Sequence, residues 1–172
     1  MNNSTISLAL IILSFSFLWF GQFEFDESTI SMETSEIVKK IKKVNIVMNS
    51  GVGFSEVRPK QFDHFTQLRK KASIDELMDL TNHPNGTVRS YAFWALSYNP
   101  SVDLLPIIVK HLNDNEVVLT FLGCTVTPKS VGNFFIELVT TPHDNDIDSN
   151  VKKLNPSQRK KLDRILITRP NH

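Results

Sequence analysis

Two adjacent stretches, Ser73–Ser97 and Ser101 to about Cys124, carry the same order of features at a spacing of roughly thirty residues. Each opens with a polar capping residue, runs through an apolar helix-period segment, breaks at a polar turn and resumes with a second apolar segment. One such helix pair cannot bury both of its faces, so neighbouring pairs must lie against it. The repeat therefore predicts a stack of paired helices.

In the first copy, Ser73-Ile74-Asp75-Glu76 fits a capping box: the Ser73 hydroxyl can accept from the Glu76 amide while the Glu76 carboxylate returns the bond. Ile74, Leu77, Met78 and Thr81 line one predicted face, and His83-Pro84-Asn85-Gly86 breaks the helix. A second helix opens at Gly86 or Thr87 and runs to the stop at Asn99-Pro100. It is apolar nearly all round, because Phe93 and Trp94 fill the side away from Val88, Tyr91, Ala92, Ala95 and Leu96. Such a helix needs cover on several sides.

The second copy begins with Asp103 as cap and Pro106 in the first turn, where its missing N–H costs little. Ile107, Ile108 and Leu112 form its apolar face, and Asn113-Asp114-Asn115 is its break. The copies then diverge. Val118–Thr127 is β-branched and holds Gly123, a pattern open to a helix that ends early or to a strand.

The repeat resembles the HEAT repeat, in the short form found in phycobilisome-lyase proteins. The resemblance rests on Leu77, Leu80, the His83-Pro84-Asn85 break, Val88-Arg89, Ala92, Ala95 and Leu96. The second copy keeps Leu104-Leu105, Ile108, Leu112, Asn113-Asp114-Asn115 and Val117, but has Val118 in place of the arginine and lacks the alanines. The match covers about fifty residues. It implies a stacked helical scaffold whose usual role is protein binding, with no catalytic residues to carry over.

The flanks complete the expected architecture. Thr34–Met48 reads as a helix with an Ile37, Ile41, Val44, Met48 stripe. Lys39, Lys40, Lys42 and Lys43 occupy its other faces, as a solvated surface or a patch for anionic lipid or an acidic partner. Asn49–Pro59 reads as a loop; its Gly51-Val52-Gly53 lacks the rest of a phosphate loop. Lys60–Lys71 reads as a helix carrying Phe62, Phe65 and Leu68, Pro128–Thr141 as an apolar element, and Asn155–Ile167 as a helix burying Leu162, Ile165 and Leu166. The expected fold is mainly α: a short HEAT-like α-α stack with flanking capping helices and room for a small β element near 117–127. Its domain runs over 35–168, after a linker at 26–34.

Residues 1–25 are an address or an anchor. Ile6–Phe20 is apolar apart from three serines, shorter than the roughly twenty residues that span a bilayer and closer to a secretory signal. No Lys or Arg precedes it and no small-residue cleavage site is evident, so cleavage and a retained membrane anchor both stay open. The expected location is extracytoplasmic, secreted or tethered. If the protein is exported, the sequon Asn85-Gly86-Thr87 matters only where exported chains are glycosylated.

Little in the chain suggests chemistry. Lys+Arg 19 against Asp+Glu 18 gives a net charge of +1, against nucleic-acid binding as a general role. The lone Cys124 forms no internal disulfide and no paired-cysteine zinc site; it reads as a buried thiol, with a nucleophile as the alternative. His64, His83, His111, His143 and His172 are scattered. His143 with Asp144, Asp146 and Asp148 resembles the start of a calcium loop, but Ser149 and Asn155 stand where glycine and glutamate are needed. Arg89 reads as a side chain stacked on the next repeat through its stem, or as a site for an acidic partner. We therefore expect no catalytic, cofactor-binding or metal residues and no small-molecule ligand, but a protein partner. The alternative is a small exported enzyme using Cys124 or His143 with its aspartates.

Overall fold

The computed structural model describes residues 25–141 and 150–168. The hydrophobic leader and the His143–Ser149 aspartate cluster lie outside those residues, as does His172. After a short 3₁₀ turn at Glu27–Thr29 come α1 (Met32–Val44), β1 (Ile46–Val52), α2 (Lys60–Lys71), α3 (Ile74–Leu80), α4 (Gly86–Leu96) and α5 (Leu104–Lys110). The chain continues through β2 (Val117–Gly123), β3 (Thr125–Ser130), α6 (Val131–Thr140) and α7 (Pro156–Thr168). The fold is mainly α with one small sheet.

The helices fall into consecutive pairs that contact each other: α1 with α2, α3 with α4, and α5 with α6. The second members also meet, because α4 is flanked by α2 and α6. All eleven residues of α4 are buried, as expected for a helix apolar on every side. Phe65 stacks on Tyr91 at 5.0 Å, and Phe93 on Phe135 at 4.0 Å, so rings join α4 to both neighbours. Truncating a buried ring such as Phe93 typically costs roughly 3–5 kcal/mol. α7 closes the far end over α5 with Leu162 buried, while Ile165 and Leu166 are only half-buried.

The Ser73 capping box forms as expected, and Glu76 also reaches outside its own helix. Its Oε2 accepts from the Ser73 amide at 2.7 Å and its Oε1 from the Ser31 amide at 2.7 Å, tying the starts of α3 and α1 together. Burial would raise the Glu76 pKa, but these hydrogen bonds overcome it and lower it to about 2. Asn155 and Gln158 exchange bonds of the same kind at the start of α7. The predicted α3 face is rotated, however: Leu77 and Leu80 are buried while Ile74 and Met78 are exposed.

The sheet corrects two expectations and bears out a third. The Thr34–Met48 helix starts earlier and stops at Val44, because Asn45 adopts a left-handed conformation with φ 56°. Met48 therefore belongs to β1, and the segment read as a loop begins as a strand. The small β element expected near 117–127 is present: the stretch Val118–Thr127, left open between helix and strand, lies in a hairpin, β2 with β3, turning on Gly123-Cys124. Gly123 has φ 63°, as the first central position of a type II′ turn requires.

β1 pairs in parallel with β2, Ile46 opposite Leu119 and Val47 opposite Thr120. The geometry follows from the helix pairs. β1 connects the members of the first pair and the hairpin connects those of the third, so both insertions leave equivalent positions and run the same way. The middle pair has only a tight turn there. A Cβ on Gly86 would sit 2.8 Å from both Glu116 Oε1 and Val118 Cγ1, so glycine lets β2 pass close over the start of α4.

Candidate functional site

Two features outside the apolar core need an account. One is a buried ionic cluster at the end of the fold where β1, β2 and α4 begin. The other is the outer face of the sheet.

Arg89 lies on α4 with its side chain 3% exposed. A guanidinium there is tolerated only with partners for its donors. Its Nε and Nη2 donate to the two Asp114 oxygens at 2.7 and 2.9 Å. Nη1 donates to the His83 carbonyl at 2.7 Å, and Nη2 also reaches Glu116 Oε2 at 2.6 Å. Asp114 comes from the Asn113-Asp114-Asn115 break, so the turn of the second copy holds the arginine of the first. Burial would raise the Asp114 pKa, but His111 and Arg89 beside it hold its carboxyl below the usual range. Both readings of Arg89 need correction: it offers no charge to an outside partner, and it binds the adjacent unit through its head group.

The same cluster fixes the first turn. The Asn85 amide donates to His83 Nδ1 at 2.9 Å, and the Gly86 amide donates to Glu116 Oε1 at 2.8 Å. Burial chiefly, with Lys42 and Arg89 nearby, pushes the His83 pKa down to about 4. These hydrogen bonds hold the two turns together. The cluster is structural, and the sequence contained a signal for it: an arginine on a helix otherwise apolar all round demands a buried acid.

The sheet has two unlike faces. Val47, Asn49, Val118 and Thr120 point inward and are buried. Tyr91 reaches β1 from α4, where its hydroxyl accepts from the Met48 amide at 2.6 Å and donates to the Met48 carbonyl at 3.1 Å. The alternate positions point outward. They are Ile46, Met48 and Ser50 on β1 and Val117, Leu119 and Phe121 on β2. The register adds Val126, Pro128 and Ser130 of β3. None of these positions carries a charge. Val117 is 64% exposed, Val126 54% and Leu119 44%. Phe54, in the turn after β1, is 96% exposed at the same end as Cys124.

Cys124 is exposed at the hairpin tip, contrary to the expected buried thiol, because the hairpin carries it away from the core. His64 is half-buried on α2, and Lys39 pairs with Glu36 on the solvent side of α1 at 2.7 Å. Among the described residues no group of three His, Cys, Asp or Glu is placed to hold a metal, and no helix is long and apolar enough to cross a membrane. No protein-family model matches the chain, and no curated protein matches it in sequence.

Proposed function

We propose that this protein is a non-catalytic binding module of HEAT-like architecture, exported or tethered by its N-terminal segment, with a protein as its partner. The observation that carries the reading is the wholly buried α4 set between α2 and α6, the central member expected of stacked helix pairs. The ionic cluster supports it, since Arg89 and Asp114 bind one helix pair to the next. The outer sheet face supplies an uncharged surface suited to an apolar protein partner rather than to nucleic acid or an acidic peptide.

The test is affinity capture by the full chain from its native cells, repeated with Val117→Lys and Val126→Lys. Both positions are exposed, so these variants should fold and lose a partner held by the parent. Cys124→Ala and His143→Ala should leave capture unchanged. A measurable activity lost in either alanine variant with folding intact would favour an enzyme instead. Mass spectrometry of the mature N-terminus tests export: an intact Met1 in a soluble fraction would contradict it.

A further inference from the structure

We propose that the groove at the finishing end of α4 receives the C-terminal carboxylate of a partner protein, with Arg69 as its counter-ion and the partner's apolar last side chain on the groove floor. The inference rests on the reading above only in taking a protein as the ligand. It adds a second site, distinct from the outer sheet face.

Three observations carry it. The first is an arginine without an acid. Arg69 lies in the last turn of α2, and its guanidinium carbon stands over the Tyr98 ring, 4.1 Å from the ring centre. Arg58 also lies over a ring, that of Phe62, but it donates to Asp63 at 2.7 Å. Arg89 has Asp114 and Glu116. Among the described residues, no hydrogen bond or ion pair engages Arg69. A helix end favours a cation, but Lys70 and Lys71 already supply that. A guanidinium held against a ring is instead a forked donor oriented in advance for a carboxylate.

The second is the lining. The groove lies between the end of α2, the start of α3 and the end of α4. Leu77, Ala95 and Leu96 give it a buried apolar floor, and Ile74, which the rotation of α3 leaves 44% exposed, lines it too. Among the described residues lining it none is acidic, and Arg69 carries the one charge. The third is the balance of donors and acceptors. The carbonyls of Ser73, Ala95, Leu96 and Pro100 already accept, from Leu77, Tyr98, Asn99 and Lys152. Asn99 Oδ1 accepts from the Ser101 amide at 2.9 Å, whereas its Nδ2 donates to nothing among the described residues. Donors beside an apolar floor are what remain. A segment passing through would bring backbone N–H groups that need acceptors. A chain end brings two carboxylate oxygens and an apolar side chain on one residue. Size also decides against a docked helix: a rod about 10 Å wide would fill the groove's volume, about 480 Å³, in little more than one turn.

The test presents the immobilised full chain with a pool of short peptides randomised over their final positions, made once with free C-termini and once as C-terminal amides. Mass spectrometry identifies what is captured. Free acids ending in an apolar residue should be enriched about tenfold or more over the same sequences as amides, the loss expected when one charged hydrogen-bonded pair is removed. Arg69→Gln should abolish that enrichment with the circular dichroism unchanged. Ile74→Glu, an acid in a first helical turn that accepts one, should abolish it as well. Arg69→Lys keeps the charge without the fork and should retain only a small part of it. No enrichment, equal capture of acids and amides, a preference for acids within the peptide, or enrichment that survives Arg69→Gln would overturn the proposal. Val117→Lys and Val126→Lys lie on the sheet and should leave the enrichment intact. Failure of the peptide pool alongside partner capture that depends on those two residues would overturn this inference alone.

Discussion

Removing Arg89 tests the central claim that one buried ion pair joins two helix pairs. Arg89→Ala strands the Asp114 carboxylate, 3% exposed, without its cation. Its remaining contacts, with His111 Nδ1 and the Glu116 amide, are both long at 3.4 Å. The His83 carbonyl also loses its donor. Breaking a buried pair from one side typically costs roughly 3–5 kcal/mol, and Arg89→Ala belongs in that range. The reverse truncation is milder. In Asp114→Ala, Arg89 keeps the His83 carbonyl and Glu116, whose side chain is 42% exposed and already solvated. We expect about 2–3 kcal/mol there, and a double variant hardly worse than Arg89→Ala. The coupling energy should then be about 2 kcal/mol. Urea unfolding followed by circular dichroism measures all three, with an unchanged slope showing that the folded state is intact. A cost below about 1 kcal/mol for Arg89→Ala, or additive single effects, would refute the assignment.

Three other outcomes follow from specific contacts. Gly132→Ala would place a Cβ 2.6 Å from the His111 carbonyl and 3.1 Å from that of Leu112; both are backbone, so the clash should outweigh the roughly 1 kcal/mol gain in helix propensity and lower the melting temperature. His83 makes stability pH-dependent: the unfolded chain takes its proton near 6.5 and the folded chain only near 4. Its contribution is therefore whole above pH 6.5 and is lost as pH falls through 4, by about 3 kcal/mol. His83→Asn, whose amide oxygen can accept from Asn85 without titrating, should flatten the denaturation midpoint across that window. Glu76→Ala removes the acceptor shared by Ser31 and Ser73 and should cost about 1–2 kcal/mol, with faster amide exchange at the start of α1.

The helices were legible because their signals are local. The Ser73 box, the Asp103 cap and the Asn155-Pro156 start need only neighbouring residues, and the apolar girth of α4 announced its own burial. The sheet was not legible, because β1 exists through its pairing with residues far along the chain. Val44 and Met48 happened to continue a helical stripe, and nothing near Asn45 revealed the left-handed turn that ends it. The hairpin turns on Gly-Cys rather than on Asn-Gly, the stronger sequence signal. The ionic cluster lay between. Arg89 carries its own signal on an apolar helix, but its partner Asp114 sits in a turn whose residues mark only a break.

The parallel pairing of β1 with β2 joins the first helix pair to the third across the middle one. An open repeat protein lengthens by gaining a unit anywhere, since each unit touches only its neighbours. Here, duplicating the middle pair would carry Ile46 and Leu119 a full helix spacing apart, beyond the reach of any backbone bond. The strands act as a clasp across three pairs.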